Sequence, residues 1–311
     1  MRYGLPYKGS KNKIARWIID QLPRGRRLVD LFAGGCAITH CAMLAGKWDS
    51  YLMVDTMDTP QLFLDAMDGR YRDEKRWISR DDFHRLKDTD AFVRTCWSFG
   101  NCCRTYLYSD AVAPMKKAMH MAILCNDWRE FERLYPEYID EADAALEGIE
   151  DYKARRLALC KVLNRHNPDQ HIKAQHIEAT ERVQSLEGLA SPGRIYTPIF
   201  QQSSYTQYMH QDGDVVYADP PYITKWKEHN PRYEGSYDKG AFCDWVKEQP
   251  YPIYISEYTM PDDFKCIGER PATQKFKAST SHRAEKLWLH EKWSDSWEQL
   301  ELPFISDNTA P

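Results

Sequence analysis

The stretch from Arg26 to Asp55 constrains this chain most. Arg26-Arg27-Leu28-Val29-Asp30-Leu31-Phe32 reads as a short buried strand, Ala33-Gly34-Gly35 as a tight turn, Cys36 to Ala45 as a helix stopped by Gly46, and Ser50 to Asp55 as a second strand. Such a β-turn-α-β unit predicts an α/β fold. Its turn aims backbone N–H groups at one crevice, and the acid ending the second strand suits ribose hydroxyls. The third glycine that lets a helix close on a pyrophosphate is missing, so a nucleoside cofactor without phosphates fits better than a dinucleotide. A generic strand-to-helix turn, with glycines only for φ > 0, is the bland alternative.

The pattern changes after this unit. From about Thr59 to about Ala174 the chain is rich in Arg, Asp and Trp with helical periodicity and few candidate strands. Ser79, with Asp82 three residues on, marks a helix start, and Ala111 to Leu124 and Ile139 to Leu163 are further helices. A helix ending near Gly188 follows, and strands return at Arg194 to Phe200, Asp214 to Ala218 and Pro252 to Ser256. The expected organisation is therefore a discontinuous catalytic domain, residues 1–58 and 175–311, around an inserted helical domain, residues 59–174. The tail from Ser306 is expected to fray.

Asp219-Pro220-Pro221-Tyr222 follows the buried strand 214–218 directly. The Asp219 carboxylate and the Pro220 carbonyl can each accept one N–H of an exocyclic amine, the prolines fix the backbone, and Tyr222 offers a flat face for a flipped-out base. A plain turn after a strand is the competing reading.

With 42% hydrophobic residues in 311, the chain can bury a proper core. The N-terminus lacks a signal-peptide run and no segment has the ~18 apolar residues of a membrane span, so a cytoplasmic protein is expected. Nine cysteines without a Cys-x-x-Cys pair argue against a disulfide framework or a zinc ribbon, and no metal is expected. Net charge is −4, yet the first 27 residues and residues 70–87 are basic. Arg76, Arg80, Arg104, Lys116 and Lys117 could contact phosphates, and the stretch from Lys225, Trp226 and Lys227 to Tyr233 mixes cations with aromatics and is long enough to close over DNA. A solvated helix face is the alternative for the former group.

Taken in order, Tyr7-Lys8-Gly9-Ser10-Lys11, Asp30 to Gly35, Asp55, Asp219 to Tyr222 and Ser256-Glu257-Tyr258 resemble the Dam-like (D12 class) adenine-specific DNA methyltransferases. Trp97 to Asn101 is similar to a segment of phage and prophage members, and Ser281 to Leu287 to a late family motif near the target base. The resemblance implies a seven-stranded Rossmann-like domain with an inserted target-recognition region, acting on double-stranded DNA with S-adenosylmethionine as methyl donor; the oligomeric state stays open, a monomer being slightly favoured. It implies that Tyr7 and Lys11 line the cofactor site, that Asp30, Phe32, Ala33, Gly34 and Gly35 lie along its methionine part, and that Asp55 takes the ribose. Asp219 would border both cofactor and base, and Asn101 would join the DNA contacts. Ser204 and Tyr205 fall where the family usually carries an acid and a tyrosine near the cofactor's adenine; Ser204 is a departure, as are Ser10 for a glycine and Cys36 for a smaller residue. An RNA adenine or cytosine-N4 acceptor, or a catalytically silent DNA-binding protein, remains the rival reading. A nicotinamide dehydrogenase fails on the glycine pattern.

Overall fold

A computed structural model describes residues 2–189, 198–222, 237–276 and 279–294, without the side chains of 271–276 and 279–283. The chain forms two compact units: Met1–Gly4, Lys11–Pro60 and Pro192–Pro311 in one, Leu5–Ser10 and Gln61–Ser191 in the other.

The first unit holds a seven-stranded sheet built from β1 (Arg27–Leu31), β2 (Ser50–Asp55), β3 (Ile199–Gln202), β4 (Asp214–Ala218), β5 (Ile253–Glu257), β6 (Phe264–Phe276) and β7 (Ser279–His290), in the order β3-β2-β1-β4-β5-β7-β6. The first five run parallel, and β7 enters antiparallel between β5 and β6. This is the mostly parallel α/β sheet of a Rossmann-like fold. The central strands β1, β4 and β5 are buried almost throughout, as expected where both faces of a parallel sheet are covered. Val29, Leu31, Val216, Ala218 and Ile255 pack with Phe242 and Val246 in one core cluster. Arg27 donates two hydrogen bonds to Asp214, at 2.8 and 2.7 Å, between the aligned first residues of β1 and β4.

Helix α1 (Ala15–Gln21) precedes β1, and between β1 and β2 run the turn and the helix α2 (Ala37–Ala45). Gly46 closes α2 in the left-handed region, its N–H reaching the carbonyls of Ala42 and Met43. At the other end of the helix, Asp30 Oδ2 accepts the Thr39 hydroxyl at 2.7 Å and its N–H at 3.2 Å, tying α2 to β1.

No strand occurs among the described residues of the second unit. Its core joins Met119, Ile123, Phe131, Leu159, Leu163 and Ile177. Two expectations are corrected here. The single helix expected from Ile139 to Leu163 is two, Ile139–Leu146 and Tyr152–His166, because Gly148 turns at φ +70° and Asp151 caps the second by accepting the Ala154 N–H at 2.7 Å. The helical unit also runs on past 174, since the helix Gln175–Gln184 packs on Tyr152–His166 and on Ala91–Cys96. Ser79 caps the helix Arg80–Leu86 as expected. The strand expected from Arg194 is Ile199–Gln202; residues 194–197 lie outside the described residues.

Candidate active site

The order of the sheet reverses between β1 and β4, and in such sheets the crevice beyond the C-terminal strand ends at this point is where ligands bind. Two elements arrive there together. The glycine turn leaves β1, and Asp219 leaves β4, with the Asp219 N–H donated to the carbonyl of Leu31 at 3.2 Å.

Asp219 does not stand alone. Lys11, in a short 3-10 turn and only 8% exposed, brings its Nζ to 2.9 Å from Asp219 Oδ1 and to 4.0 Å from Glu285 on β7. The same Nζ lies 4.1 Å from the centre of the Tyr222 ring. Tyr222 donates its hydroxyl to Glu285 Oε2 at 3.2 Å, and its ring meets Tyr258 edge-on at 4.6 Å. Tyr217, inside β4, donates to Ser256 Oγ at 2.7 Å or accepts from it. The network thus packs two carboxylates around one ammonium in a mostly buried place.

Burial pushes the Asp219 carboxyl up to about 6, against the pull of Lys11. Burial pulls the Lys11 ammonium down, but the Asp219 and Glu285 carboxylates outweigh it and its net shift is upward, so it stays charged. Burial, with these carboxylates adding to it, holds the Tyr222 hydroxyl protonated. Pro220 is buried and Pro221 exposed.

In the turn, Gly34 takes φ +49° and donates its N–H to Asp55 Oδ2 at 2.8 Å, while Asp55 Oδ1 accepts from Met57. Ala33 bridges to Val54 and Cys36 through its backbone. Gly4 is a residue that sequence reasoning missed: a Cβ there would stand 2.2 Å from the carbonyl oxygen of Gly35, so only glycine lets this chain lie on the turn. Its N–H is donated to His40 Nδ1 at 2.8 Å. Phe32 is left-handed at φ +61°, an unusual state for an aromatic residue, and its ring is held among Tyr205, Tyr237 and Phe242 at 5.2–5.8 Å.

Residues 7–63 match the family model of the D12 class N6 adenine-specific DNA methyltransferases. Over these residues, about a fifth of the chain, the chain is similar to that class, and the match supports a Dam-like assignment. The match indicates an enzyme of DNA adenine methylation. The matched residues include Lys11, the glycine turn and Asp55, while Asp219 to Tyr222 lie outside them. No curated protein matches the chain.

The other site residues expected of this methyltransferase fall as follows. Asp30 is 2% exposed, and the oxygen described above serves Thr39. Burial raises its carboxyl to about 7. Ser204 caps a short turn, accepting from the Thr206 N–H, and Tyr205 packs on Phe32 and Trp245. Tyr7 belongs to the helical unit, where its carbonyl accepts the Ser10 N–H. One expected DNA contact is corrected: Lys116 is 6% exposed and donates to the carbonyl of Lys173 at 2.7 Å, so it is an interior residue. Asn101 is also turned inward, donating to the Thr95 carbonyl. Arg76 pairs with Glu74 and Asp90, Arg80 with Asp110, and Lys117 with Glu130, whereas Arg104 is exposed. Lys225, Trp226 and Lys227 lie outside the described residues.

Glu285 is the chief omission of the sequence reading; it sits inside the segment Ser281 to Leu287, where the side chains of 281–283 lie outside the described residues. Among the described residues, no cluster of His, Cys, Asp and Glu could hold a metal ion, and no helix is long and apolar enough to cross a membrane.

Proposed function

We propose that this methyltransferase moves the methyl group of S-adenosylmethionine to the N6 amine of an adenine turned out of double-stranded DNA, releasing S-adenosylhomocysteine. The observation that carries the reading is the Asp219 carboxylate at the end of β4, tied through its backbone to the end of β1, where the glycine turn begins. Acceptor chemistry and cofactor turn then share one crevice.

The residues fit a nucleoside cofactor without phosphates. The turn is too short of glycine to hold a pyrophosphate. Asp55 accepts backbone N–H groups from Gly34, Met57 and Thr56, and the four lone pairs of its two oxygens leave room for a ribose hydroxyl. Phe32 and Tyr205 give an aromatic wall at the same end of the sheet. When bound, the cofactor supplies a methyl group carried on a cationic sulfur.

The adenine amine is a weak nucleophile because its lone pair is delocalised into the ring. By accepting both N–H bonds, Asp219 and the Pro220 carbonyl favour a pyramidal nitrogen with its lone pair out of the base plane. As the N–C bond forms, positive charge moves onto the amine, and the carboxylate stabilises it and takes the released proton or hands it to water. Tyr222 would bear against the flipped base. The helical unit would read the target sequence, with Arg76, Arg80, Arg104 and Lys117 exchanging their present partners for phosphates, and the enzyme would act in the cytoplasm as a monomer.

Nucleoside mass spectrometry after incubation with methyl-labelled S-adenosylmethionine tests this with duplex DNA, single-stranded DNA and RNA as separate acceptors. Label in N6-methyladenine of the duplex is expected. Label confined to RNA or to N4-methylcytosine would overturn the assigned acceptor, and cofactor binding with no label anywhere would favour a silent DNA-binding protein.

A further inference from the structure

On the assigned reaction, Asp219 has to accept an amine N–H, yet its Oδ1 is held by the Lys11 ammonium at 2.9 Å. Oδ2 and further lone pairs remain for the amine, but cation and substrate amine then draw on one carboxylate charge. A buried ammonium cannot simply let go, because an unpaired charge in such a place is strongly unfavourable. A second anion stands within reach: Glu285 Oε2 is 4.0 Å from the same Nζ, about 1 Å beyond a charge-assisted hydrogen bond. Its side chain is 13% exposed and is steadied by the Tyr222 hydroxyl.

We propose that Glu285 is a positioning residue of methyl transfer, the anion that takes up Lys11 when the acceptor amine occupies Asp219. The inference rests on the function proposed above. Lys11 slides between two carboxylates without leaving the pocket, and Tyr222 keeps the receiving carboxylate in place. With Lys11 on Glu285, the Asp219 charge faces the amine undivided while positive charge builds on nitrogen.

The test is Glu285→Gln, which keeps the size of the side chain and an acceptor for the Tyr222 hydroxyl but removes the charge that receives Lys11. The ionisable groups around Asp219 are Lys11, Asp30, Tyr217, Tyr222, Glu257 and Glu285, with Tyr258 beside Lys11. Glu285 is one of the charges that raise the Asp219 carboxyl, so removing it moves the acid limb of the pH–rate profile to lower pH. With duplex DNA and S-adenosylmethionine, kcat is expected to fall about tenfold to a hundredfold, cofactor Kd to stay within about twofold, and the acid limb to shift downward. General loosening of the fold would weaken cofactor binding and leave the acid limb where it was. A kcat near wild type, or an unmoved acid limb, overturns the proposal. Wild-type protein that methylates no DNA adenine in the same assay would instead overturn the underlying function and the proposal with it.

Discussion

The two units each bury a polar network, and the networks are built to opposite plans. In the helical unit the Tyr108 hydroxyl meets His176 Nδ1 at 2.6 Å, His176 Nε2 meets His120 Nδ1 at 3.1 Å, and His120 Nε2 meets the Lys75 carbonyl at 2.9 Å. One set of tautomers satisfies this chain end to end: Tyr108 donates to His176, His176 to His120, and His120 to the carbonyl. Trp77 and Trp97 pack around it. Every member is neutral and no imidazole nitrogen is left over. In the α/β unit, Lys11, Asp219 and Glu285 form a charged group with more anion than cation and unused carboxylate lone pairs. A closed neutral chain specifies a core, and an open charged one waits for a ligand.

The sharpest contrast is in the response to pH. On the proposed mechanism methyl transfer needs Asp219 as carboxylate, and burial raises its carboxyl to about 6, so the rate should fall about tenfold per pH unit below that point. A rate profile measured on protein shown by circular dichroism to stay folded checks this, and a flat profile down to pH 5 would break the account.

Stability should respond in opposite senses in the two units. Burial lowers His120 to about 4 and pushes His176 down as well. A folded-state pKa below the unfolded one leaves stability intact above about 6.5 and erodes it as pH falls toward 4, by about 3 kcal/mol for His120. Asp30 has the reverse sign. Its carboxyl is raised to about 7, so its contribution is full below the ordinary aspartate range and is lost as pH rises through about 7. Hydrogen exchange followed separately in the two units over pH 4.5–8 should show the helical unit loosening in acid and the sheet unit relaxing in base. Asp30→Asn should flatten the second trend, and parallel behaviour of both units would contradict the contrast.

Smaller effects sharpen it further. Asp55→Ala is expected to weaken S-adenosylmethionine binding by about 1–3 kcal/mol, the range for leaving polar groups unpaired, and calorimetry reads it directly. Tyr108→Phe leaves His176 Nδ1 without its donor and should lower stability by about 1–2 kcal/mol in a urea titration, with cofactor affinity unchanged.

Much of the α/β unit was legible in the chain itself. β2, β4 and β5 carry short apolar runs, and β1 one interrupted only by Asp30, because parallel strands are covered on both faces, and Gly46 marks the end of α2. The hairpin β6–β7 was not anticipated. Among the described side chains there, Phe264, Leu287 and Leu289 are buried, with Lys286, Trp288 and His290 alternating with the two leucines, so no continuous apolar run announces it. Asp219 stands out in the chain because a carboxylate followed by two prolines after a buried strand suits an exocyclic amine, and its backbone N–H meets the end of β1. Its pairing with Lys11 and Glu285 was not legible, since those residues meet only once the sheet has formed. Lys116 shows the converse error: a lysine beside another lysine reads as surface, yet its stem follows the core and its ammonium finds a buried carbonyl.

The most direct test of the central claim compares wild type with Asp219→Ala, reading methyl transfer to duplex DNA and S-adenosylmethionine affinity in parallel. The account predicts transfer lost by about a thousandfold or more with cofactor affinity almost unchanged. An Asp219→Ala protein retaining about a tenth of wild-type transfer would contradict it.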